Sequence, residues 1–139
     1  VLGNGGGAFP VMRRLTRLGL GGAQGPGSQW MSWLHIEDWV GIARFLMETE
    51  SVEGPVNLAA PNPVTNSSFM RAMRKRFAPF GLGLPAPTPL IHLGAVFLRT
   101  EPELVLKSRK VRSKVLDEQG YSFVAPTLEV SLGRLEKMG

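Results

Sequence analysis

The chain has 139 residues, of which 43% are hydrophobic and 19% are charged. This composition suits a globular protein with a core and excludes an intrinsically disordered chain. The absence of cysteine and the wide separation of the two histidines, His35 and His92, exclude disulfides and thiolate metal sites and argue against zinc, so we expect no metal. The net charge of +5 and the pI near 10.2 favour an anionic partner: nucleic acid, a nucleotide, an acidic membrane or an acidic subunit.

The N-terminus lacks the order of a signal peptide, and no run approaches the roughly 18 apolar residues of a membrane span. We therefore expect an intracellular protein, in the cytoplasm or in the matrix of a mitochondrion or plastid. Val1–Gly3 has no initiator methionine and is typical of the end of a buried strand, so we expect the chain to begin within a domain.

The first segments alternate glycine-rich backbone with a helix. Gly3–Ala8 formally satisfies the G-x-G-x-x-A dinucleotide fingerprint, but it lacks the full strand before it and the acidic residue about 20 positions later. We interpret it as a flexible turn into an amphipathic helix over Ala8–Leu18, with a phosphate-binding loop as the alternative. The five glycines of Gly19–Gly27 predict irregular backbone that can close over a ligand.

A strand and a helix meet where most of the chemically active side chains lie. Ser32–Ile36 is predicted to be a short strand, and apolar residues at helical spacing predict a helix over Glu37–Glu48 that Asp38 or Glu37 caps. His35 beside Glu37 invites comparison with a catalytic dyad, but no serine or cysteine nucleophile can be assigned. His35 is therefore a candidate for lining a ligand pocket.

The order of strand, turn and helix is predicted a second time. Gly54–Ala59 reads as a short apolar strand, and Thr65 or Asn66 as the cap of the next helix. The basic residues of that helix, within Arg71–Arg76, suit a solvated face. Nucleic-acid binding is the weaker alternative, because no aromatic residues are interleaved for base stacking.

The C-terminal part is predicted to be mainly helical. Leu84–Pro89 is too rich in proline for regular structure and is interpreted as a linker. The further predictions are helical segments over Leu90–Arg99 and Glu103–Leu106, a basic cluster over Lys107–Lys114, a short helix that Ser113 begins and Gly120 stops, and a last helix over Leu128–Lys137.

These pieces together resemble the C-terminal half of an atypical extended short-chain dehydrogenase/reductase, an epimerase-like family of the NAD-dependent epimerase/dehydratase type with a C-terminal domain of uncharacterised function. The segments that carry the resemblance are V-L-G-N-G-G-G-A at Val1–Ala8, L-G-G-A-Q-G-P-G-S-Q-W-M-S-W-L-H-I-E-D at Leu20–Asp38, G-P-V-N-L-A-A-P-N-P-V-T-N at Gly54–Asn66 and K-V-R-S-K-V-L-D-E-Q-G-Y-S-F at Lys110–Phe123. The resemblance implies an α/β fold: the C-terminal part of a Rossmann-type sheet over residues 1–83, and a small, mainly helical substrate-side domain over residues 84–139.

The chemistry of that family lies outside the matched half. Its glycine fingerprint for NAD(P) opens the N-terminal half, and its Tyr-x-x-x-Lys pair precedes the point where this chain starts. Tyr121 is the only tyrosine here and is followed by S-F-V-A, so the pair is absent. The resemblance implies no catalytic residue in this chain, with NAD or NADP held mainly by an N-terminal half of the same protein or by a second chain.

Two hypotheses follow. In the first, the chain is the substrate-side half of an NAD(P)-binding epimerase or oxidoreductase, and the residues near the strand ends contact the substrate: Gln24, Gln29, Trp33, His35 and Asn57. In the second, it is a non-catalytic structural subunit of a larger, organellar assembly that reuses the fold and is held by its basic surfaces.

Overall fold

The computed structural model describes residues 1–78, 80, 82–86, 88–89 and 106–139. Its elements, in chain order, are α1 (Ala8–Arg17), β1 (Trp30–Met31), α2 (Ile36–Glu48), β2 (Val64–Thr65), α3 (Asn66–Phe77), α4 (Lys114–Glu118) and α5 (Leu128–Lys137). The predicted helix Leu90–Arg99 and most of Glu103–Leu106 lie outside the described residues.

The chain divides into two compact units, each built from segments that are distant in sequence. Unit 1 contains Val1–Phe9, Ser32–Pro63 and Lys110–Gly139, and unit 2 contains Pro10–Met31 and Val64–Arg109. The division that the sequence predicts after residue 83 stays a prediction.

Helix ends are the features that local sequence predicted best. Thr65 caps α3 by accepting a hydrogen bond from the Ser68 N–H. Ser113 Oγ likewise accepts from the Leu116 N–H at the start of α4, and Gly120, with φ of +69°, follows the end of that helix. The last helix has the predicted bounds. These predictions are confirmed because a cap needs only a side chain and backbone a few residues away.

In unit 1, an extended segment over residues 32–35 runs through the core. The Leu2 N–H donates to the Leu34 carbonyl at 2.7 Å, the Ile36 N–H donates to the Leu2 carbonyl at 2.9 Å, and Leu2 and His35 form a parallel bridge. On the other edge, the Ala60 N–H donates to the Trp33 carbonyl at 2.8 Å. Trp33, Leu34 and His35 are all buried, as in a strand covered on both faces.

Two predicted strands are therefore wrong as strands. Ser32–Ile36 pairs with Leu2 through a single bridge, and Gly54–Ala59 forms no ladder with any described residue. The reason is the number of partners: a β-ladder needs a neighbour that pairs at consecutive residues, and Pro55 cannot donate to one. The apolar composition of Gly54–Ala59 predicted neither pairing nor burial, since most of that segment is exposed.

In unit 2, β1 and β2 form a two-residue antiparallel pair, with Trp30 opposite Thr65 and Met31 opposite Val64. The segment predicted to be a linker makes backbone hydrogen bonds instead. The Leu84 N–H donates to the Gly19 carbonyl at 2.8 Å, and Ala86 forms a parallel bridge with Gln24. The glycine-rich loop and the proline-rich segment thus lie side by side.

Candidate functional site

The start of α2 differs from the predicted capping arrangement. His35 is the N-cap, and its Nδ1 accepts the Glu37 N–H at 3.1 Å. Asp38 is fully buried, and its carboxylate accepts the N–H groups of Val124 at 2.7 Å and Ala125 at 3.0 Å. The prediction that Asp38 or Glu37 caps α2 is wrong, because both oxygens of Asp38 accept hydrogen bonds from a segment that lies far away in sequence.

His35 is fully buried, and its Nε2 has no hydrogen-bond partner among the described residues. Because Nδ1 accepts a hydrogen bond, the neutral imidazole carries its proton on Nε2. Burial lowers the pKa of His35, which Glu37 and Asp38 raise by a smaller amount and Arg134 lowers further. The imidazole of His35 is thus enclosed by the core of unit 1 and shielded from solvent.

Glu37 forms a hydrogen-bonded ion pair with Arg134 of α5. Arg134 Nη2 lies 2.7 Å from Glu37 Oε2, and Arg134 Nε donates to the same oxygen at 2.7 Å. Asn4 Nδ2 also donates to the Leu135 carbonyl of α5, at 2.8 Å. The pair His35 and Glu37 is thus part of a set of contacts with the last helix.

Tyr121 belongs to the same part of unit 1. Its hydroxyl donates to the Asp38 carbonyl at 3.4 Å, and its ring contacts those of Phe45 and Phe123 edge-on. Burial raises its pKa, and Asp38 raises it further. A phenol held this way stays protonated and packs the core, in keeping with the missing Tyr-x-x-x-Lys pair.

The two remaining predicted site residues of unit 1 differ in accessibility. Trp33 is buried, and its Nε1 donates to the Asn62 carbonyl at 2.9 Å. Asn57 is exposed, in a segment without regular structure. Trp33 and His35 are therefore brought into one core, whereas Asn57 faces solvent.

In unit 2 the structure brings Gln24 and Gln29 together. Gln29 is buried, and its Nε2 donates to the Gln24 carbonyl at 2.8 Å. Asn66, at the start of α3, accepts the Gln24 N–H at 2.8 Å and donates to Gln24 Oε1 at 3.1 Å. Asn66 was considered only as a cap, although an asparagine can also hold a glycine-rich loop through its side-chain amide.

A concave surface of about 700 Å³ lies beside the first residues of the chain. It is lined by Val1, the glycine-rich segment 3–8, Ile36 and Met138, and it adjoins the Leu2 to His35 bridge. The first turn of α1 contains no acidic residue. The signal for this surface was the glycine-rich sequence itself, which we interpreted chiefly as a flexible turn.

Of the helices in the described part of the chain, none has the length and apolar composition that crossing a membrane requires. Within the same residues, no three His, Asp or Glu side chains are grouped so that they can share a metal ion.

Comparison with known proteins gives a consistent result for the family. The profile of a domain of unknown function (DUF1731) matches residues 86–135. The bovine epimerase family protein SDR39U1 is 39% identical over 135 residues, which are 95% of this chain and 44% of that protein. The chain thus spans less than half the length of this relative.

Two solved structures have the same fold. The crystal structure of human epimerase family protein SDR39U1 (isoform 2) with NADPH matches 98% of this chain and 45% of its own, with a TM-score of 0.81 and 34% identity. A nucleoside-diphosphate sugar epimerase from Corynebacterium glutamicum matches 95% of this chain and 23% of its own, with a TM-score of 0.69 and 23% identity, which supports the fold alone. The predicted α/β, Rossmann-type fold class is confirmed, and the chain corresponds to the C-terminal half of the epimerase family proteins.

Proposed function

We propose that this chain is the substrate-side half of an NAD(P)-dependent epimerase or oxidoreductase. The observation that carries the proposal is the match over nearly the whole chain to an epimerase family protein whose crystal structure contains NADPH. The parallel bridge between Leu2 and His35 supports it, because ligands of open α/β sheets bind beyond the carboxyl ends of parallel strands. The alternative of a non-catalytic organellar subunit stays a prediction from the sequence.

The concave surface beside Leu2 fits part of a dinucleotide. Its volume is within the range of about 300–1,000 Å³ that is usual for ligand sites, and none of its lining side chains is acidic. Gly5, Gly6 and Gly7 leave backbone accessible at the start of α1, where N–H groups favour negative charge. When bound, NAD or NADP supplies hydride transfer.

The predicted substrate residues then take two kinds of role. Trp33 and His35 are buried, so we propose that they hold the wall of the site in place rather than contact the substrate through an exposed face. In unit 2 Gln24 is half-buried, and in unit 1 Asn57 is exposed, so each side chain is accessible within its own unit. Gln29 is buried and positions the loop through its hydrogen bond to Gln24.

The test is isothermal titration calorimetry, in which NADPH or NADH is added to the complete natural protein. Gly7→Asp introduces a negative charge into the concave surface, and Gly54→Asp is the matched control. Both glycines have positive φ, +75° and +82°, and an added Cβ meets no atom within 4 Å at either position. Aspartate tolerates this backbone region better than most residues.

We expect Gly7→Asp to weaken dinucleotide binding by about tenfold or more, the effect of losing about 1.4 kcal/mol, and Gly54→Asp to leave it within about twofold. Equal effects of the two substitutions would contradict the assignment of the surface. No binding of either dinucleotide by the natural protein would sink the proposed function.

A further inference from the structure

The glycine-rich loop of unit 2 is held against α3 at more than one point. The Gly21 carbonyl accepts a hydrogen bond from Arg74 Nη1 at 2.8 Å, and the Gly27 carbonyl accepts one from the Ser67 N–H at 2.8 Å. Gly27 has a φ of +74°, and an added Cβ would collide with Ser67 Oγ, so this contact requires glycine. A loop that is bound in this way presents its side chains in fixed positions.

Gln24 lies between these two points, and its backbone is bound on both sides. It forms a parallel bridge with Ala86: the Gly25 N–H donates to the Ala86 carbonyl at 2.9 Å, and the Ala86 N–H donates to the Ala23 carbonyl at 3.0 Å. The carbonyl of Gln24 accepts a hydrogen bond from Gln29 Nε2 at 2.8 Å. The direction in which the Gln24 side chain leaves the loop is therefore set by the backbone.

The side-chain amide of Asn66 determines how the Gln24 amide is turned. A backbone N–H can only donate, so the Asn66 atom that lies 2.8 Å from the Gln24 nitrogen is the acceptor Oδ1. Asn66 Nδ2 then donates to Gln24 Oε1 at 3.1 Å and to Met31 Sδ at 3.3 Å. Turning over either amide alone would place two donors against each other. Asn66 is fully buried, so water does not relieve such a conflict.

The outer end of the Gln24 side chain is consequently Nε2 and not Oε1. Nε2 has no hydrogen-bond partner among the described residues, and it is not one of their buried, unpaired polar atoms. Gln24 is half-buried, so its amide nitrogen is a fixed and accessible group that offers N–H donors and no acceptor. Binding sites use a few polar groups of this kind, each held by a buried supporting residue.

We propose that Gln24 is a specificity-determining residue of the substrate site and that its Nε2 donates a hydrogen bond to an acceptor oxygen of the substrate, as in a carbonyl, carboxylate or phosphoryl group. Asn66 is the positioning residue that keeps this donor turned outward. The inference rests on the proposed function, which makes this chain the substrate-side half. It adds a selection rule: a substrate that presents an N–H or ammonium group to Gln24 is rejected, because two donors then face each other.

Two substitutions of nearly equal shape reverse the outer group. Gln24→Glu keeps an oxygen that accepts from Asn66 Nδ2 and replaces Nε2 by a second oxygen. Asn66→Asp keeps the acceptor for the Gln24 N–H but loses the donor to Oε1, so the Gln24 amide turns over. The start of α3 favours the added negative charge, which keeps the new carboxylate ionised at pH 7.5. Gln119→Glu is the matched control, because Gln119 is exposed and belongs to unit 1.

The experiment is an NMR titration of the complete natural protein with three probes of nearly equal shape: acetate, acetamide and acetamidinium. Acetate only accepts hydrogen bonds, acetamidinium only donates them, and acetamide does both. The chemical shifts of the Gln24 side-chain amide and of the Gly25 N–H report binding at pH 7.5 and constant ionic strength. A soluble paramagnetic agent tests whether the Gln24 amide is accessible in the complete protein, with the Gln119 amide as the exposed reference.

We expect the natural protein to bind acetate at least about tenfold more tightly than acetamidinium, with acetamide between them. Gln24→Glu and Asn66→Asp should reverse this preference, whereas Gln119→Glu should leave it within about twofold. A purely structural role of Asn66 would instead weaken the binding of all three probes together. The paramagnetic agent should broaden the Gln24 amide signal. Circular dichroism verifies that each variant is folded, and Gln24→Glu alone tests the donor if Asn66→Asp does not fold.

Three results overturn the proposal. If the paramagnetic agent leaves the Gln24 amide signal sharp, another part of the complete protein covers Nε2, and Gln24 binds that part instead of a substrate. Equal affinities of the natural protein for acetate and acetamidinium refute the donor. A preference that Asn66→Asp leaves unchanged refutes the positioning role. None of these measurements uses a dinucleotide, so a failure of the proposed function appears only in the titration with NADPH and NADH and is distinguishable from a failure of this inference.

Discussion

Asp38 provides the sharpest test of how unit 1 is held together. Its carboxylate is fully buried and accepts two backbone N–H groups, from Val124 and Ala125. Asp38→Ala leaves both groups without an acceptor. Each buried N–H left unpaired costs about 1–3 kcal/mol, so we expect the free energy of unfolding to fall by about 2–6 kcal/mol. Asp38→Asn retains one acceptor oxygen and should cost about half as much.

The assay is urea unfolding of the natural protein and of each variant, with circular dichroism as the signal that is monitored. The matched control is Glu37→Ala, which removes the neighbouring carboxylate. Glu37 and Arg134 are 38% and 44% exposed, and ion pairs of that kind contribute about 0–1 kcal/mol. If Asp38→Ala and Glu37→Ala lowered the free energy of unfolding by the same amount, the hydrogen bonds of the buried carboxylate to Val124 and Ala125 would not be a major source of stability. A loss of this size is a large share of the roughly 5–15 kcal/mol that stabilises a domain.

Three further predictions concern local features. Burial lowers the pKa of His35 from its ordinary 6.5, against the smaller raising effects of Glu37 and Asp38. The contribution of His35 to stability is therefore present above pH 6.5 and is lost as the pH falls toward the lowered pKa. His35→Asn should reduce the pH dependence of the unfolding free energy between pH 7.5 and 5, and an unchanged dependence would disprove the argument. Thr65→Ala should cost about 1 kcal/mol through the lost cap of α3, measured by thermal unfolding, with Thr49→Ala at the end of α2 as the control. Gly120→Ala should cost about 1–2 kcal/mol because its φ is +69°; the same unfolding assay would reveal no loss if the turn rearranged.

What the sequence predicted well depends on residues that lie close together in the chain. The caps at Thr65 and Ser113, and the stop at Gly120, need only neighbours three or four positions away. The family and its fold class were also predicted, because several segments matched in order. By contrast, the strand Ser32–Ile36 was predicted from an imperfect alternation of side chains, which cannot distinguish a long ladder from a single bridge.

The prediction that failed at the start of α2 involves partners distant in sequence. Asp38 lies in the first turn of an amphipathic helix, so local rules made it a cap, but the groups that it binds lie 86 and 87 positions later. Arg74 was grouped with its basic neighbours, but its Nη1 donates to the Gly21 carbonyl at 2.8 Å, a contact that helical spacing does not record. In both cases a tertiary contact determined the role, and charge or spacing alone contained no signal for it.

The extent of the C-terminal domain leads to a last prediction. The DUF1731 profile covers residues 86–135, yet residues 110–139 belong to unit 1, together with residues 1–9 and 32–63. Val124 and Ala125 bind Asp38, the Pro126 carbonyl accepts from Asn62 Nδ2 at 2.9 Å, and the Val111 N–H donates to Ser32 Oγ at 2.7 Å.

Each of these contacts joins the matched segment to a residue before position 84, so a fragment of residues 84–139 loses them all and leaves their donors and acceptors unpaired. We expect that fragment to show no cooperative unfolding transition, whereas the 139-residue chain with Asp38 intact should show one. Cooperative unfolding of the isolated fragment would mean that the matched segment is an independent domain, because its stability would then come from contacts among its own residues.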